Sequence, residues 1–256
     1  MSRKILLVED EAIIAVSEAQ MIEKHGFEVN IVHNGEKAVE AAASDPGISL
    51  VLMDIDLGRG MDGTEAAARI LESRDLPVVF LSSHTEPAVV KKTEGITSYG
   101  YIVKNSGETV LLASIRMAFR LWESEDKFRK AFEYTSVGMV LTSPSGELLR
   151  VNEAFASMLG YSPAEIYSVN FLKLTHPDDV DMSVDQIKMI LDGKAVSRRF
   201  TKRYIRKNGE VVWAEINTML LRDSEGNPIR FVTHAQDITE SKRMQEELDR
   251  QREQYD

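Results

Sequence analysis

Leu50-Val51-Leu52-Met53-Asp54 and, nearer the amino terminus, Ile5-Leu6-Leu7-Val8-Glu9-Asp10-Glu11 decide the fold. Each is a short apolar run that stops at acids, and helix-like sequence lies between them. Such runs read as neighbouring parallel strands with their carboxylates gathered at the carboxyl ends, the edge where open α/β sheets carry their sites. Carboxylates converging there repel one another unless a cation sits among them, and all-oxygen ligation favours Mg²⁺.

Working outward, the first half alternates strand and helix. Strands are expected at Lys4–Val8, Glu28–Val32, Leu50–Asp54, Val78–Leu81 and Tyr101–Lys104. Helices are expected near Ala12–His25, Gly35–Ala43, Thr64–Glu72 and Pro87–Glu94, with a longer one at Glu108–Trp122. That alternation implies a parallel sheet covered on both faces, with right-handed crossovers. Asp62-Gly63-Thr64 supplies a turn and a helix cap.

The second half has another rhythm. Val137–Leu141 and Glu147–Val151 flank the turn-rich Ser143-Pro144-Ser145-Gly146, a hairpin signal. Short helices follow, one capped by Asn152 and closed by Gly160, another opened by the capping-box sequence Ser162-Pro163-Ala164-Glu165. Three strands then run through Ser197–Arg206, Glu210–Arg222 and Ile229–Ile238, the first pair joined by the tight-turn dipeptide Asn208-Gly209. This is a mixed α+β unit with an antiparallel sheet, ending in a polar helical stretch, Thr239–Tyr255. No proline or glycine interrupts Glu108–Tyr134, so one continuous helix joins the halves and couples them more tightly than a flexible linker would.

Bulk composition narrows the classes. The 256 residues suit two domains, and 43% hydrophobic with 28% charged residues allows each a core. A net charge of −10 argues against binding to nucleic acid or anionic membrane. With no cysteine there are no disulfides, thiolate metal sites or cysteine nucleophiles. No apolar run reaches bilayer-spanning length, and a cytoplasmic protein is expected.

The acidic edge has a definite chemistry. Glu9 and Asp10 end the first strand, Asp54 the third and Lys104 the fifth, while Ser82 follows the fourth. A carboxylate attacking phosphorus must approach three negatively charged oxygens. Mg²⁺ and a lysine neutralise them, and a hydroxyl can donate to one, so the set reads as phosphoryl transfer to an aspartate. With Met61-Asp62-Gly63, Phe80-Leu81-Ser82-Ser83 and Gly100-Tyr101-Ile102-Val103-Lys104, residues 1–122 resemble the receiver domain of two-component response regulators, a five-stranded doubly wound, flavodoxin-like fold. The resemblance implies that Asp54 is the phosphoacceptor for a histidine kinase or phosphotransfer protein. It implies Mg²⁺ at Asp10, Asp54 and the backbone carbonyl of Asp56, with Glu9 in support. Ser82 becomes the switch hydroxyl, Tyr101 the switch aromatic and Lys104 the partner of the phosphate.

Three departures stand out. Asn105 replaces the proline usual after the lysine, leaving either a costly non-proline cis bond or a trans loop of different shape. The stretch Leu57-Gly58-Arg59-Gly60 is longer and richer in glycine than usual. Asp56 and His84, two residues beyond Asp54 and Ser82, stand where family members tune the acyl-phosphate lifetime. Asp54-Ile55-Asp56-Leu57 also resembles the nucleophile motif of haloacid-dehalogenase-type phosphatases, but those carry it on their first strand.

Residues 123–240 resemble a PAS domain with its C-terminal motif, through Val151-Asn152-Glu153-Ala154-Phe155, Leu159-Gly160-Tyr161-Ser162, Thr175-His176-Pro177-Asp178-Asp179, Arg206-Lys207-Asn208-Gly209-Glu210, Trp213 and Asp237-Ile238-Thr239-Glu240. The residues name no PAS ligand. Flavin adduct chemistry of the light-oxygen-voltage kind needs a cysteine. His176 suits a loop or cap, His234 faces either pocket or solvent, and Phe155, Tyr161, Phe171 and Trp213 are expected in the core. Residues 241–256 form a coiled-coil-like tail without a kinase catalytic region. The expectation is thus a phosphorelay protein that catalyses only its own phosphorylation and slow acyl-phosphate hydrolysis, and that dimerises. Two alternatives are the input part of a hybrid sensor kinase and an unphosphorylated receiver-type interaction module.

Overall fold

The computed structural model describes residues 2–83, 96, 99–169 and 171–253. The chain divides into two compact units, Met1–Lys127 and Phe128–Asp256.

In the first unit, β1 (Lys4–Val8), β2 (Glu28–Val32), β3 (Ile48–Asp54), β4 (Val78–Ser82) and β5 (Gly100–Val103) form a parallel sheet in the order β2-β1-β3-β4-β5. Helices α1 (Ala12–Glu23), α2 (Gly35–Ser44) and α3 (Gly63–Ser73) lie between them, and α4 (Glu108–Glu133) follows β5. The apolar runs are continuous because both faces of the sheet are covered. Leu6, Val8, Val51, Met53 and Phe80 pack with α2 and α3 residues on one face, while Ile5, Leu7, Leu50, Leu52 and Leu81 pack with α1 and α4 residues on the other. A one-residue slip of any strand would exchange those two sets. The expected helix at Pro87–Glu94 and His84 lie outside the described residues.

Helix α1 ends at Glu23 rather than His25, because Gly26 turns the chain at φ +86°. Helix α4 runs unbroken for 26 residues, as the absence of breakers implies. Among the described residues, no helix is long and apolar enough to cross a membrane.

The second unit holds an antiparallel sheet in the order β7-β6-β10-β9-β8, from β6 (Gly138–Thr142), β7 (Leu148–Val151), β8 (Ser197–Ile205), β9 (Val211–Arg222) and β10 (Pro228–Asp237). Its helices are α5 (Glu153–Leu159), α6 (Pro163–Ile166), α7 (Phe171–Leu174), α8 (Val180–Leu191) and α9 (Thr239–Glu253). The capping readings hold: Asn152 Oδ1 accepts from Phe155 N, Gly160 closes α5 at φ +76°, and Ser162 and Glu165 cap α6 reciprocally. Helix α8, at 12 residues, is longer than the short helices the sequence suggests. Val180, Val184 and Ile187 give it a helical stripe, and a 3-10 turn at Pro177–Asp179 leads into it.

Two side-chain expectations need correction. Trp213 is not in the core. Val212 and Ala214 point inward, so strand alternation turns Trp213 outward, half-buried between the Arg203 guanidinium and the Lys242 ammonium, each 5.4 Å from its ring. Tyr161 is half-buried against the core rather than within it, with Lys207 over its ring. Phe155 is fully buried as expected, and the Phe171 side chain lies outside what is described.

Candidate functional site

The strand order reverses between β1 and β3, and the crevice at their carboxyl ends is where such a sheet can hold a ligand. Glu9 and Asp10 enter it directly after β1, and Asp54 is the last residue of β3. The three offer carboxylate oxygens within 4.8 Å of one another, with Glu9 and Asp54 buried and Asp10 exposed.

Lys104 crosses this cluster. Its Nζ donates to Asp54 Oδ2 at 2.7 Å and lies 2.6 Å from Glu9 Oε2, an ion pair not aligned as a hydrogen bond. Burial pushes the Asp54 carboxyl up to about 6, with Glu9 adding to the rise and Lys104 opposing it. Burial works against the Lys104 ammonium too, yet its bonds to Asp54 and Glu9 outweigh that and hold its pKa above the ordinary value. One ammonium against three carboxylates leaves a negative, oxygen-lined site, and that donor set suits a hard divalent cation.

The surrounding backbone fixes these groups. Lys104 N donates to Ser82 O at 2.8 Å, which ties the lysine to the buried serine at the end of β4. Asp56 N donates to Asp54 Oδ1 at 3.2 Å, and the Asp56 side chain is exposed. Gly63 approaches so closely that a Cβ there would lie 1.8 Å from the Asp54 carbonyl oxygen. Asp62 then caps α3, accepting from Glu65 N and from the Thr64 hydroxyl. Tyr101 is half-buried against the core on β5. After Lys104 the chain is trans, with Asn105 at φ +65°, a left-handed conformation that asparagine tolerates. The structure thus brings Glu9, Asp10, Asp54, Ser82 and Lys104 together and sets Tyr101 apart on its strand.

One site neighbour escaped the sequence reading. Glu18 of α1 lines a recess of about 460 Å³ with Lys104, Asn105 and Ser106. Its Oε2 is buried with no hydrogen-bond partner among the described residues. Desolvation first, then the charges of Glu9 and Asp54, push its carboxyl up to about 7, with Lys104 pulling the other way. The signal was present: Ala15, Glu18, Ala19 and Ile22 share one helical stripe, and the acid is the odd member.

In the second unit the candidate histidines are peripheral. His176 caps the 3-10 turn, its Nδ1 accepting from Asp178 N, and His234 is exposed on the outer sheet face.

Known proteins share both units. Residues 5–116 match the family described as "Response regulator receiver domain", and residues 148–235 match "PAS fold". The probable diguanylate cyclase DgcE of Escherichia coli is 35% identical over 141 residues, covering 53% of this chain and 13% of that protein. The transcriptional regulatory protein PdtaR of Mycobacterium tuberculosis is 32% identical over 117 residues, 45% of this chain and 56% of that one. The chain therefore spans between about an eighth and just over half of these curated relatives. Among solved structures, the N-terminal domain of a response regulator/sensory box/GGDEF protein from Carboxydothermus hydrogenoformans is 47% identical, covering 48% of this chain and 98% of its own, with a TM-score of 0.45.

Proposed function

From a chain that carries a response regulator receiver domain at residues 5–116 followed by a PAS fold at 148–235, we propose a phosphorelay protein whose Asp54 accepts a phosphoryl group from a histidine kinase or phosphotransfer protein in the cytoplasm. The observation that supports this best is the bridging Lys104, held on both Asp54 and Glu9 within a cluster of three carboxylates.

An Asp54 carboxylate oxygen attacks phosphorus. The bond from phosphorus to the donor's imidazole nitrogen breaks, the nitrogen keeps the electron pair, and an aspartyl phosphate remains. Asp10, Asp54 and the Asp56 carbonyl would hold Mg²⁺, with Glu9 behind them, and the ion supplies positive charge against the phosphoryl oxygens. Lys104 turns from Glu9 to a phosphoryl oxygen, and the Ser82 hydroxyl donates to another. Tyr101 follows Ser82, while Asp56 and His84 set how readily water reaches the aspartyl phosphate. Unchanged dephosphorylation in Asp56→Asn and His84→Ala would remove that last role.

The state then passes through α4 to the PAS unit, with a second copy of the chain as partner. Val110, Met117, Leu121 and Phe128 stand exposed along α4 at heptad-compatible intervals with Ser114 and Ser124 between, opposite the buried Leu111, Ile115 and Phe119. Sedimentation before and after phosphorylation tests that pairing. The decisive experiment on the chemistry is intact-mass measurement after acetyl phosphate treatment. A phosphoryl mass that requires both Mg²⁺ and Asp54 supports the assignment. Persistence of the adduct in Asp54→Asn, or its absence with acetyl phosphate and cognate kinases alike, sinks it.

A further inference from the structure

The loop between β3 and α3 starts beside the phosphoacceptor and carries the glycine-rich stretch Gly58-Arg59-Gly60. Leu57 is buried in the core and Met61 is half-buried against it, so the loop is anchored at both ends while the stretch between them is exposed. Gly58 stands at φ +67° and Gly60 at φ +103°, left-handed backbone that a side chain would strain.

Two acids bracket that stretch. Gly58 lies so close to Asp10 that a Cβ there would sit 3.1 Å from Oδ2, and a Cβ at Gly60 would sit 2.9 Å from Glu36 Oε1. Glu36, in the first turn of α2, accepts from Met61 N at 3.1 Å. The residue before it is just as tight, since a Cβ at Gly35 would sit 2.7 Å from the Met61 carbonyl oxygen. The Glu36 carboxyl is held below its ordinary value, first by its own backbone N–H and then by that of Met61, so it remains an ionised acceptor at neutral pH.

This tether bears on the cation site. Of the three clustered carboxylates, Glu9 and Asp54 are buried and Asp10 is exposed. Burial fixes the first two, whereas Asp10 has the Gly58 backbone against it. The Asp56 carbonyl opens the same loop. Securing the far end at Met61 therefore limits the movement of two groups that would face the ion. Mg²⁺ demands near-ideal octahedral geometry, while Ca²⁺ accepts flexible ligand sets, so a restrained loop favours the smaller ion.

We propose that Glu36 is a positioning residue: by holding Met61 N it restrains the Asp10 carboxylate and the Asp56 carbonyl, and so sets the preference of the site for Mg²⁺ over Ca²⁺. Glu36 has this role only if those groups and Asp54 hold the cation as proposed above.

The test is calorimetric titration of the whole metal-free chain with Mg²⁺ and, separately, Ca²⁺. Glu36→Ala should weaken Mg²⁺ binding about fivefold, as for one lost hydrogen bond to an exposed carboxylate, and Ca²⁺ binding less than about twofold. Glu36→Gln keeps the acceptor oxygen without the charge and should retain both affinities. Amide hydrogen exchange without metal reads the tether itself, with Met61 exchanging faster in Glu36→Ala and unchanged in Glu36→Gln. Should Glu36→Ala fail to fold, Glu36→Asp, one methylene shorter, makes the same comparison. Equal losses for the two cations, a loss in Glu36→Gln as large as in Glu36→Ala, or unchanged Mg²⁺ affinity or Met61 exchange in Glu36→Ala overturns the role of Glu36 and leaves the metal site standing. Absence of Mg²⁺ binding in the unmodified chain overturns both.

Discussion

Lowering the pH from 7 to 5 should weaken Mg²⁺ binding to the receiver site about tenfold. The cation needs the ionised Asp54 carboxylate, and burial has raised that group to about 6. Apparent dissociation constants scale as one plus the ratio of proton concentration to the acid constant. That factor is about 1.1 at pH 7 and about 11 at pH 5, hence a ratio of about ten. The sign follows from the direction of the shift: a carboxyl raised in the folded state holds its proton below its folded pKa, so the metal must displace a proton there. Lys104 stays charged across the range, since its own pKa lies above the ordinary value. The assay is isothermal titration of Mg²⁺ into metal-free protein at several pH values, in two buffers of different ionisation enthalpy, so that proton release is counted directly. Glu18, raised to about 7, adds its field to the same window, and Glu18→Gln isolates the Asp54 part. A change below twofold, or the same dependence in Asp54→Asn, would refute the reasoning.

Lys104→Met leaves Asp54 and Glu9 buried without their shared ammonium, and should cost about 3 kcal/mol in metal-free urea denaturation, with most of the loss recovered in Mg²⁺. Glu18→Gln should stabilise the receiver by about 1 kcal/mol at pH 8 and by little at pH 5. The folded-state carboxyl is raised from 4.5 to about 7, so its penalty builds between those two values and is complete above the upper one, and partial exposure reduces it; pH-resolved melts check that window. Gly63→Ala should lose about 3 kcal/mol or more, because a methyl at 1.8 Å from the Asp54 carbonyl forces β3 or α3 to move; denaturation with an acetyl phosphate assay shows whether the site moves too. Asn152→Ala removes four hydrogen bonds, to Phe132 O and Val137 O and from Met139 N and Phe155 N. It should destabilise the PAS transition by about 3 kcal/mol while leaving the receiver transition unmoved in a two-phase melt.

The receiver was legible because its strands are covered on both faces and end in chemistry. Leu50–Asp54 announces a buried strand and its acidic terminus in one phrase, and the same holds for Lys4–Asp10. Asp62-Gly63 could be read as a turn and a cap, but not the contact that excludes a Cβ at Gly63, because that depends on where the Asp54 carbonyl lies in space. In the PAS unit the turns were the clearest signals: Asn208-Gly209, Gly160 and the Ser162–Glu165 box act through local geometry. Trp213 was misplaced because an aromatic in a strand reads as core unless the phase of the alternation is fixed. Val212 and Ala214 fix it, and Arg203 and Lys242 then make the outward position tolerable for an indole. Lys202 was invisible for the complementary reason: a lysine in an alternating strand reads as outward, and only the register against Ala214 sends it in.

The register of β4 against β5 also explains how one edge can sense a single event. Phe80 lies opposite Tyr101 and Ser82 opposite Val103, while Lys104 N is bonded to Ser82 O. The two groups that would grip a phosphoryl oxygen, the Ser82 hydroxyl and the Lys104 ammonium, are therefore joined through one backbone hydrogen bond, and Tyr101 hangs from the same strand pair. Displacing Lys104 from Glu9 takes away the ammonium paired with that buried carboxylate, so the move would be favourable only when another cation is present. On the proposed chemistry, release of Lys104 from Glu9 would therefore require the metal and the phosphoryl group together. With the metal alone Lys104 can stay on Glu9, and with the phosphoryl group alone its departure would leave that carboxylate short of a cation, so the strand pair that carries Ser82, Tyr101 and Lys104 would have reason to shift only when both arrive.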